Sequence, residues 1–366
     1  MSSRIRVLVV DDSALMRKLI PQILASDESI EVVGTAMDGN FGLKKIEELK
    51  PQVITLDLEM PAMNGLDTLK AIMRTHKLPV IVVSSHSTAG ASATLKALAL
   101  GAFDFVAKPK DVSAHMPAIA TELISKIKAA AQSKGVRIPL AGEGKKIVKQ
   151  RAIPGRTATR VVAIGVSTGG PNALQFVLSQ LPADFPGTIL VVQHMPVGFT
   201  DMFARRLDEC CAIQVKEAIS GDLLLAGRAL ICPGDRHLKV KKLPLGDVAI
   251  LSDDSRVNGH RPSVDVLFRS VAEEFGSRSL AVLMTGMGED GASGMGTIKA
   301  AGGVTVAQNE ESCVVFGMPK AAIERGFATR VVGLETLAST LQSQCSGRGS
   351  GSDEGEPGRA AKAGHN

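Results

Sequence analysis

The chain has 366 residues, 45% of them hydrophobic and 22% charged, which is typical of a soluble globular protein of about two domains. Trp and Tyr are absent, so the aromatic side chains that a base-stacking surface needs are scarce. The formal net charge of +5 is local, because eight basic residues and one acidic residue lie between Lys134 and Arg160, and this distribution argues against binding to nucleic acid.

The five cysteines form no CxxC pair, and their odd number is typical of a reducing compartment. The apolar run before Asp11 is too short for the core of a secretory signal. No later run reaches the ~20 apolar residues that a membrane span needs. We therefore expect a cytoplasmic protein that does not insert directly into a membrane.

Residues 1–131 alternate short apolar strands with helical stretches. The strands read IRVLVV, EVVG, VITLD, PVIVVS and FDFVAK. This alternation predicts a five-fold βα repeat and a parallel sheet. Residues 132–159 are small and basic, with Pro139 and Pro154, and predict a flexible basic linker.

Acidic residues end two of these strands. Asp11 and Asp12 follow the first strand and Asp57 ends the third, so the three carboxylates should meet at one edge of the sheet. Such a cluster needs a cation, and Mg²⁺ takes oxygen ligands while leaving positions for a phosphoryl oxygen. Lys108 adds a positive charge at the end of the fifth strand. Taken singly, each residue suits a solvated cap or surface position; together they predict a phosphoacceptor site.

This first domain resembles a response-regulator receiver domain. The resemblance rests on VVDDS at 9–13, LDLEMPAMNG at 56–65, Ser84 after VIVV, Phe105 and the Lys108-Pro109 pair. It implies a flavodoxin-like, five-stranded α/β fold and a histidine kinase as phosphodonor. It also implies a cis Lys108-Pro109 bond.

The same resemblance assigns roles to single residues. It implies that Asp57 accepts the phosphoryl group and that Mg²⁺ is held by Asp11, Asp12, Asp57 and the backbone carbonyl of Glu59. It implies further that Ser84 and Lys108 contact the phosphoryl oxygens. Phe105 stands at the family's aromatic switch position.

Residues 160–345 predict a second, doubly wound and mostly parallel α/β domain. Helices are expected over PNALQFVLSQLP, TDMFARRLDEC, RPSVDVLFRSVAEEF, GMGTIKAAG and MPKAAIERG, with a β-rich segment between Asp222 and Leu251. The tail 346–366 is rich in Gly, Ser and charge, and is expected to be disordered.

Three strings in this domain place chemistry at expected strand ends. GVSTGG carries Ser167, VVQHMP carries His194 and TGMGEDG carries Asp290, which supply a hydroxyl nucleophile, an imidazole and a carboxylate. The amides after Ser167 precede a helix that begins near Pro171, so they can face negative charge on a carbonyl oxygen. These residues predict a serine hydrolase.

Alternatives remain open at this point. His237 and His260 compete with His194, and Glu289 and Asp265 compete with Asp290. The order serine, histidine, acid differs from that of α/β-hydrolases, in which the acid precedes the histidine. The glycines near Ser167 do not fit the GxGxxG pattern of a dinucleotide site.

The second domain resembles the catalytic domain of chemotaxis protein-glutamate methylesterases of the CheB type. The strings GVSTGG, QHMP, NGHRPSVDVLF, TGMGEDGA and MPKAA carry the resemblance. It implies a hydrolytic triad of Ser167, His194 and Asp290, with the amides of Thr168 and Met287 as oxyanion donors and no cofactor for the esterase. It leaves His260 and Arg261 as substrate contacts.

The implied reaction is hydrolysis of glutamyl methyl esters on the cytoplasmic domains of chemoreceptors, with deamidation of glutamine as a second activity. The short linker suggests that the unphosphorylated receiver covers the cleft and that phosphorylation of Asp57 uncovers it. Two rivals remain: a DNA-binding output, and a scaffold that binds receptors without catalysis.

Overall fold

A computed structural model of the chain describes residues 4–61, 63–85, 87–108, 116–133 and 157–346. The expected cis bond at Pro109 lies outside the described residues. So do residues 134–156 of the expected linker and 347–366 of the expected tail.

The first domain is a five-stranded parallel sheet in the order β2-β1-β3-β4-β5. The strands are β1 (Ile5–Val10), β2 (Ile30–Ala36), β3 (Val53–Asp57), β4 (Val80–Ser84) and β5 (Asp104–Ala107). The helices are α1 (Ala14–Leu24), α2 (Gly39–Leu49), α3 (Gly65–Thr75), α4 (Thr88–Ala99) and α5 (Met116–Gln132). The predicted flavodoxin-like βα repeat is confirmed.

Local side chains set where the first four helices begin. Ser13, Asp38, Asn64 and Ser87 each precede a helix, and each side chain accepts a hydrogen bond from a backbone amide in the first turn. Because each helix follows a strand, these caps fix the short loops at the carboxyl edge of the sheet, where the predicted acidic cluster lies.

The second domain contains a seven-stranded parallel sheet in the order β14-β13-β12-β6-β7-β9-β8, and a separate hairpin. The sheet strands are β6 (Val161–Val166), β7 (Thr188–Gln193), β8 (Gln214–Glu217), β9 (Arg228–Ile231), β12 (Ser279–Leu283), β13 (Val304–Gln308) and β14 (Arg330–Val332), and the hairpin is β10 (His237–Lys241) with β11 (Val248–Ser252). The helices are α6 (Gly170–Leu178), α7 (Phe199–Cys210), α8 (Val264–Phe275), α9 (Ala292–Ala300), α10 (Met318–Glu324) and α11 (Leu334–Cys345), with a 3₁₀ turn at Gly276–Arg278. The expected doubly wound sheet is confirmed.

The order of the second sheet creates a crevice at its centre. β6 lies between β12 and β7, so the chain leaves β6 toward one side first and returns to its other side later. Ligands of open α/β sheets bind at the carboxyl end of such a switch point. Ser167 follows β6 directly and His194 follows β7, so both lie at this edge.

The two domains touch through apolar and polar contacts. The ring of Phe105 in β5 stacks on that of Phe199 at the start of α7, with centroids 4.9 Å apart. Asn172 Nδ2 donates to the Leu98 carbonyl oxygen at 2.8 Å. Arg206 Nη1, in α7, donates to the Leu95 carbonyl oxygen at 3.2 Å. The end of α4 and the strand β5 therefore lie against the second domain.

None of the helices in the described ranges combines the length and the apolarity that crossing a membrane requires.

Candidate active site and phosphoacceptor site

Backbone hydrogen bonds tie the three catalytic loops together. The Ser167 amide donates to the Thr285 carbonyl oxygen at 3.0 Å, and the His194 amide donates to the Val166 carbonyl oxygen at 3.2 Å. The loop after β12 therefore runs beside Ser167 and continues to Asp290. This arrangement brings the three predicted catalytic residues to the same edge of the sheet.

Asp290 is a buried carboxylate that binds the histidine ring and the start of α8. His194 Nε2 lies 2.9 Å from Asp290 Oδ2, and Ser263 Oγ donates to Oδ1 at 2.8 Å. The amides of Val264 and Asp265 donate to Oδ2 and Oδ1 at 2.7 and 3.2 Å. Burial alone would raise the pKa of Asp290, but His194 and these donors outweigh it and lower the pKa to about 2. The carboxylate is therefore ionised at neutral pH.

This contact fixes the tautomer of His194. An ionised carboxylate can only accept hydrogen bonds, so Nε2 of His194 must carry the proton. Nδ1 is then the basic nitrogen. Ser167 and His194 line one cleft of about 620 Å³, although no hydrogen bond joins the serine Oγ to the ring. In substrate-free enzymes such bonds are often long and tighten when the substrate binds.

Two backbone amides beside Ser167 are available to a substrate. Thr168 and Met287 line the same cleft, and neither amide donates a hydrogen bond to any group in the described part of the chain. Gly286 permits the close approach of the Met287 loop, because a Cβ at this position would lie 2.9 Å from Ser167 Cβ. The positions of both amides suit the predicted oxyanion donors.

The predicted acidic cluster of the first domain forms at the ends of β1 and β3. Carboxylate oxygens of Asp11, Asp12 and Asp57 all lie within 4.8 Å of one another. Lys108 Nζ lies 2.7 Å from Asp57 Oδ2 and 3.2 Å from Asp11 Oδ2. Burial raises the pKa of Asp57, and the charge of Asp11 adds to this effect while Lys108 opposes it. Oxygen ligands, partly exposed and mutually repelling, fit a hard divalent cation such as Mg²⁺.

Glu59, Ser84 and Phe105 are the other predicted receiver residues with described contacts. The Glu59 amide donates to Asp57 Oδ1 at 3.1 Å, which holds the Glu59 backbone next to the phosphoacceptor. Ser84 Oγ donates to the Gly90 carbonyl oxygen at 3.2 Å. Phe105 is buried against Phe199 of the second domain. The expected switch aromatic therefore lies at the contact between the domains.

Comparison with known proteins assigns both domains. The family model of the response regulator receiver domain matches residues 7–120, and that of the CheB methylesterase matches residues 162–341. A protein-glutamate methylesterase/protein-glutamine glutaminase of Koribacter versatilis is 61% identical over 93% of this chain and 96% of its own length. A second, from Halalkalibacterium halodurans, is 46% identical over 94% of this chain and 99% of its own length.

This chain belongs to the CheB methylesterase family. The crystal structure of the Thermotoga maritima CheB methylesterase catalytic domain is also similar, with 41% identity, a TM-score of 0.50, and coverage of 51% of this chain and 99% of that chain. The expectation of an enzyme of the methylesterase and glutaminase type, with an N-terminal receiver domain, is confirmed. The catalytic and phosphoacceptor residues remain assigned by their geometry.

The rival residues have other contacts in this CheB-type domain. His237 is fully buried, where Nδ1 accepts from the Ser263 amide at 3.2 Å and Nε2 lies 3.1 Å from the Ser255 carbonyl oxygen. Asp265 accepts from the Gly294 amide at 2.6 Å, and Glu289 pairs with Arg325 at the surface. Neither acid contacts the His194 ring.

One contact at this site was not predicted from the sequence. The ring of His260, expected to be a substrate contact, stacks on the ring of His194 with centroids 4.1 Å apart. The string NGH was the available signal, because Asn-Gly pairs favour tight two-residue turns.

We predict that Asp290→Asn lowers the rate at which a fluorophosphonate labels Ser167 by roughly 10³-fold or more, because an amide facing Nε2 favours the wrong tautomer. The matched control is Glu289→Gln, which removes the neighbouring exposed carboxylate and should leave the rate unchanged. Equal rates for Asp290→Asn and the wild-type protein would contradict the assignment of Asp290.

A second prediction concerns the ring of His194 itself. In nitrogen-15 spectra of the neutral imidazole, Nε2 should show the shift of a protonated nitrogen and Nδ1 that of an unprotonated one. The reason is the carboxylate at Nε2. A spectrum dominated by protonated Nδ1 would contradict the proposed base.

Proposed function

We propose that this chain hydrolyses glutamate methyl esters in the cytoplasmic domains of chemoreceptors, releasing methanol, and deamidates receptor glutamines by the same chemistry. One observation carries the proposal. The His194 ring, held by ionised Asp290, lines the same cleft as Ser167. Thr168 and Met287 also line it, and their amides donate to no group among the described residues. A nucleophile, a base and oxyanion donors are what acyl transfer requires.

In this mechanism Ser167 Oγ attacks the ester carbonyl carbon while Nδ1 of His194 takes its proton. The C–O bond to the methoxy group breaks, and Nδ1 returns the proton to the leaving methanol. Water then attacks the carbonyl carbon of the acyl-enzyme and gives one proton to Nδ1. The bond from this carbon to Ser167 Oγ breaks, Nδ1 returns its proton to Oγ, and the new glutamic acid side chain releases its remaining proton to solvent and becomes a carboxylate. With glutamine as substrate, the C–N bond breaks instead and ammonia leaves.

Asp290 and the two amides act on charge that develops during these steps. The ionised Asp290 stabilises the imidazolium form of His194 at a hydrogen-bonding distance of 2.9 Å. The amides of Thr168 and Met287 stabilise the negative carbonyl oxygen, and one such donor contributes about 3 kcal/mol in comparable enzymes.

Control by phosphorylation is the second part of the proposal. Thr121, Glu122, Ser125 and Lys126 of α5 line the same cleft as Ser167, so this helix occupies space that a receptor segment needs. Lys126 Nζ donates to the Phe105 carbonyl oxygen at 2.5 Å and thereby ties α5 to β5. Phosphorylation of Asp57 by a histidine kinase, sensed through Ser84 and Lys108, would shift the two domains toward an open arrangement.

The receiver site would use Mg²⁺. Asp11, Asp12, Asp57 and the backbone carbonyl of Glu59 would hold the ion, which supplies positive charge to the transferring phosphoryl group. The proposal includes a cytoplasmic location, since its phosphodonor and its receptor segments are expected there. It includes no contact with nucleic acid: a DNA-binding output needs a compact basic helical domain, whereas the described second domain is built on a parallel sheet.

The test is methanol release from methylated receptor membranes, with and without acetyl phosphate and Mg²⁺. Wild-type protein should release methanol faster with the phosphodonor, and Ser167→Ala should lose at least about 10³-fold. Ser339→Ala, which changes an exposed serine of α11, is the matched control. Asp57→Asn should keep the basal rate but not respond to acetyl phosphate. No release from the wild-type protein in either condition would refute the esterase proposal.

Arg206 gives a separate test of the closed arrangement. Arg206→Gln removes the hydrogen bond to the Leu95 carbonyl, and loss of one such bond corresponds to about 1 kcal/mol, or roughly fivefold in the open population. The unphosphorylated rate should rise by that factor while the phosphorylated rate stays the same. Arg205→Gln is the matched control, because Arg205 pairs within α7 with Asp201. A fall of both rates in Arg206→Gln would contradict the interpretation.

A further inference from the structure

The rings of His260 and His194 form a parallel stack inside the cleft. Their centroids are 4.1 Å apart and their planes differ by 3°. His260 also lines the cleft that contains Ser167. One face of the His194 ring is therefore covered by a second aromatic ring, while its edges face Asp290 and the cleft.

The backbone holds His260 in this position through a two-residue turn. Val257 and His260 exchange both backbone hydrogen bonds, at 3.1 and 2.9 Å. Between them, Asn258 and Gly259 have φ values of 52° and 79°, as in a type I′ turn. Asn258 Nδ2 donates to Asp265 Oδ2 at 3.2 Å, which ties the turn to the start of α8.

The residue after His260 anchors the other side of the turn. Arg261 Nη2 lies 2.9 Å from Asp235 Oδ1, and Nη1 donates to the Asp253 carbonyl oxygen at 3.0 Å. The Arg261 side chain is half-buried, and its charge is paired with a carboxylate of the same domain. Hydrogen bonds and an ion pair therefore anchor the turn on both sides of His260.

His260 is in the neutral form, which is compatible with stacking on the ring of His194. Burial and the positive charges of His194 and Arg256 lower the pKa of His260 to about 4, although Asp290 and Glu122 act in the opposite direction. At neutral pH the ring is uncharged and does not repel the imidazolium form of His194. A cation over an aromatic face at this distance is attracted to it, so the contact strengthens when His194 accepts the proton.

We propose that His260 is a positioning residue for His194: its ring confines the imidazole to the plane in which Nε2 meets Asp290 and Nδ1 serves Ser167. This inference rests on the proposed function of Ser167. It differs from the role of a substrate contact, because the flat ring acts through His194 and its nitrogens are not required.

The test compares His260→Ala with His260→Phe in the full chain, with acetyl phosphate and Mg²⁺ present. The readout is the second-order rate constant for labelling of Ser167 by a fluorophosphonate. His260→Ala should lower this constant by about ten- to a hundredfold, because the ring is no longer confined. His260→Phe keeps a flat ring and should stay within about threefold of the wild-type protein. His76→Ala, at the end of α3, is the matched control for loss of a histidine.

Steady-state methanol release separates positioning from substrate contact. For His260→Ala the positioning role predicts a lower kcat with little change in KM. Equal losses in the alanine and phenylalanine variants, or a raised KM with unchanged kcat, would overturn the inference in favour of a substrate contact. Wild-type labelling rates in both variants would overturn it as well, and thermal unfolding of each variant checks that it is folded.

Nitrogen-15 spectra of His194 test the inference without any esterase activity. The wild-type protein and His260→Phe should show one tautomer, because the ring stays against Asp290. In His260→Ala the unconfined ring should leave Asp290 in part of the molecules, and the spectrum should then show a mixture of tautomers. If the wild-type protein is not labelled at Ser167, the proposed function fails, but these spectra still decide the role of His260. A single tautomer in His260→Ala would refute it.

Discussion

The buried Asp290 side chain keeps its negative charge because hydrogen-bond donors from the start of α8 and from His194 surround it. The start of α8 is arranged to maintain these contacts. α8 must begin beneath the loop after β12, and the buried His237 holds the Ser263 amide at that point. A buried carboxylate without these partners would be costly and would protonate. The ionised form, in turn, selects the His194 tautomer.

The order of residues along the chain follows from the order of strands in the sheet. β7 and β12 lie on opposite sides of β6, so the histidine and the acid approach Ser167 from two directions. Chain order is then free to differ from that of other hydrolases, because only the final geometry decides the chemistry. The same principle of strand-end convergence gathers Asp11, Asp12 and Asp57 in the receiver.

The sequence could predict where the strands end and therefore which catalytic residues lie together. Apolar β-branched runs identified β6, β7 and β12, and parallel pairing then implied that Ser167, His194 and Asp290 converge. The chemistry of the residues alone could not choose between Asp290 and its neighbour Glu289, because one residue of register in a loop decides which side chain points inward; the choice of Asp290 came from the family resemblance. Nor could the sequence foresee the stack of His260, which depends on a turn anchored by α8. The contact of α5 with the cleft depends on how the two domains pack against each other, which the sequence of neither domain specifies by itself.

The catalytic contacts also constrain how the receiver can act. Asp290, His194 and Ser167 are held by bonds within their own domain, so the receiver does not need to assemble them. The receiver acts on the cleft through α5, because four residues of this helix line the cleft and occupy part of its space. In the proposed mechanism, phosphorylation therefore changes the fraction of molecules that admit a receptor segment. The intrinsic chemistry stays the same, and the apparent affinity scales with the open fraction.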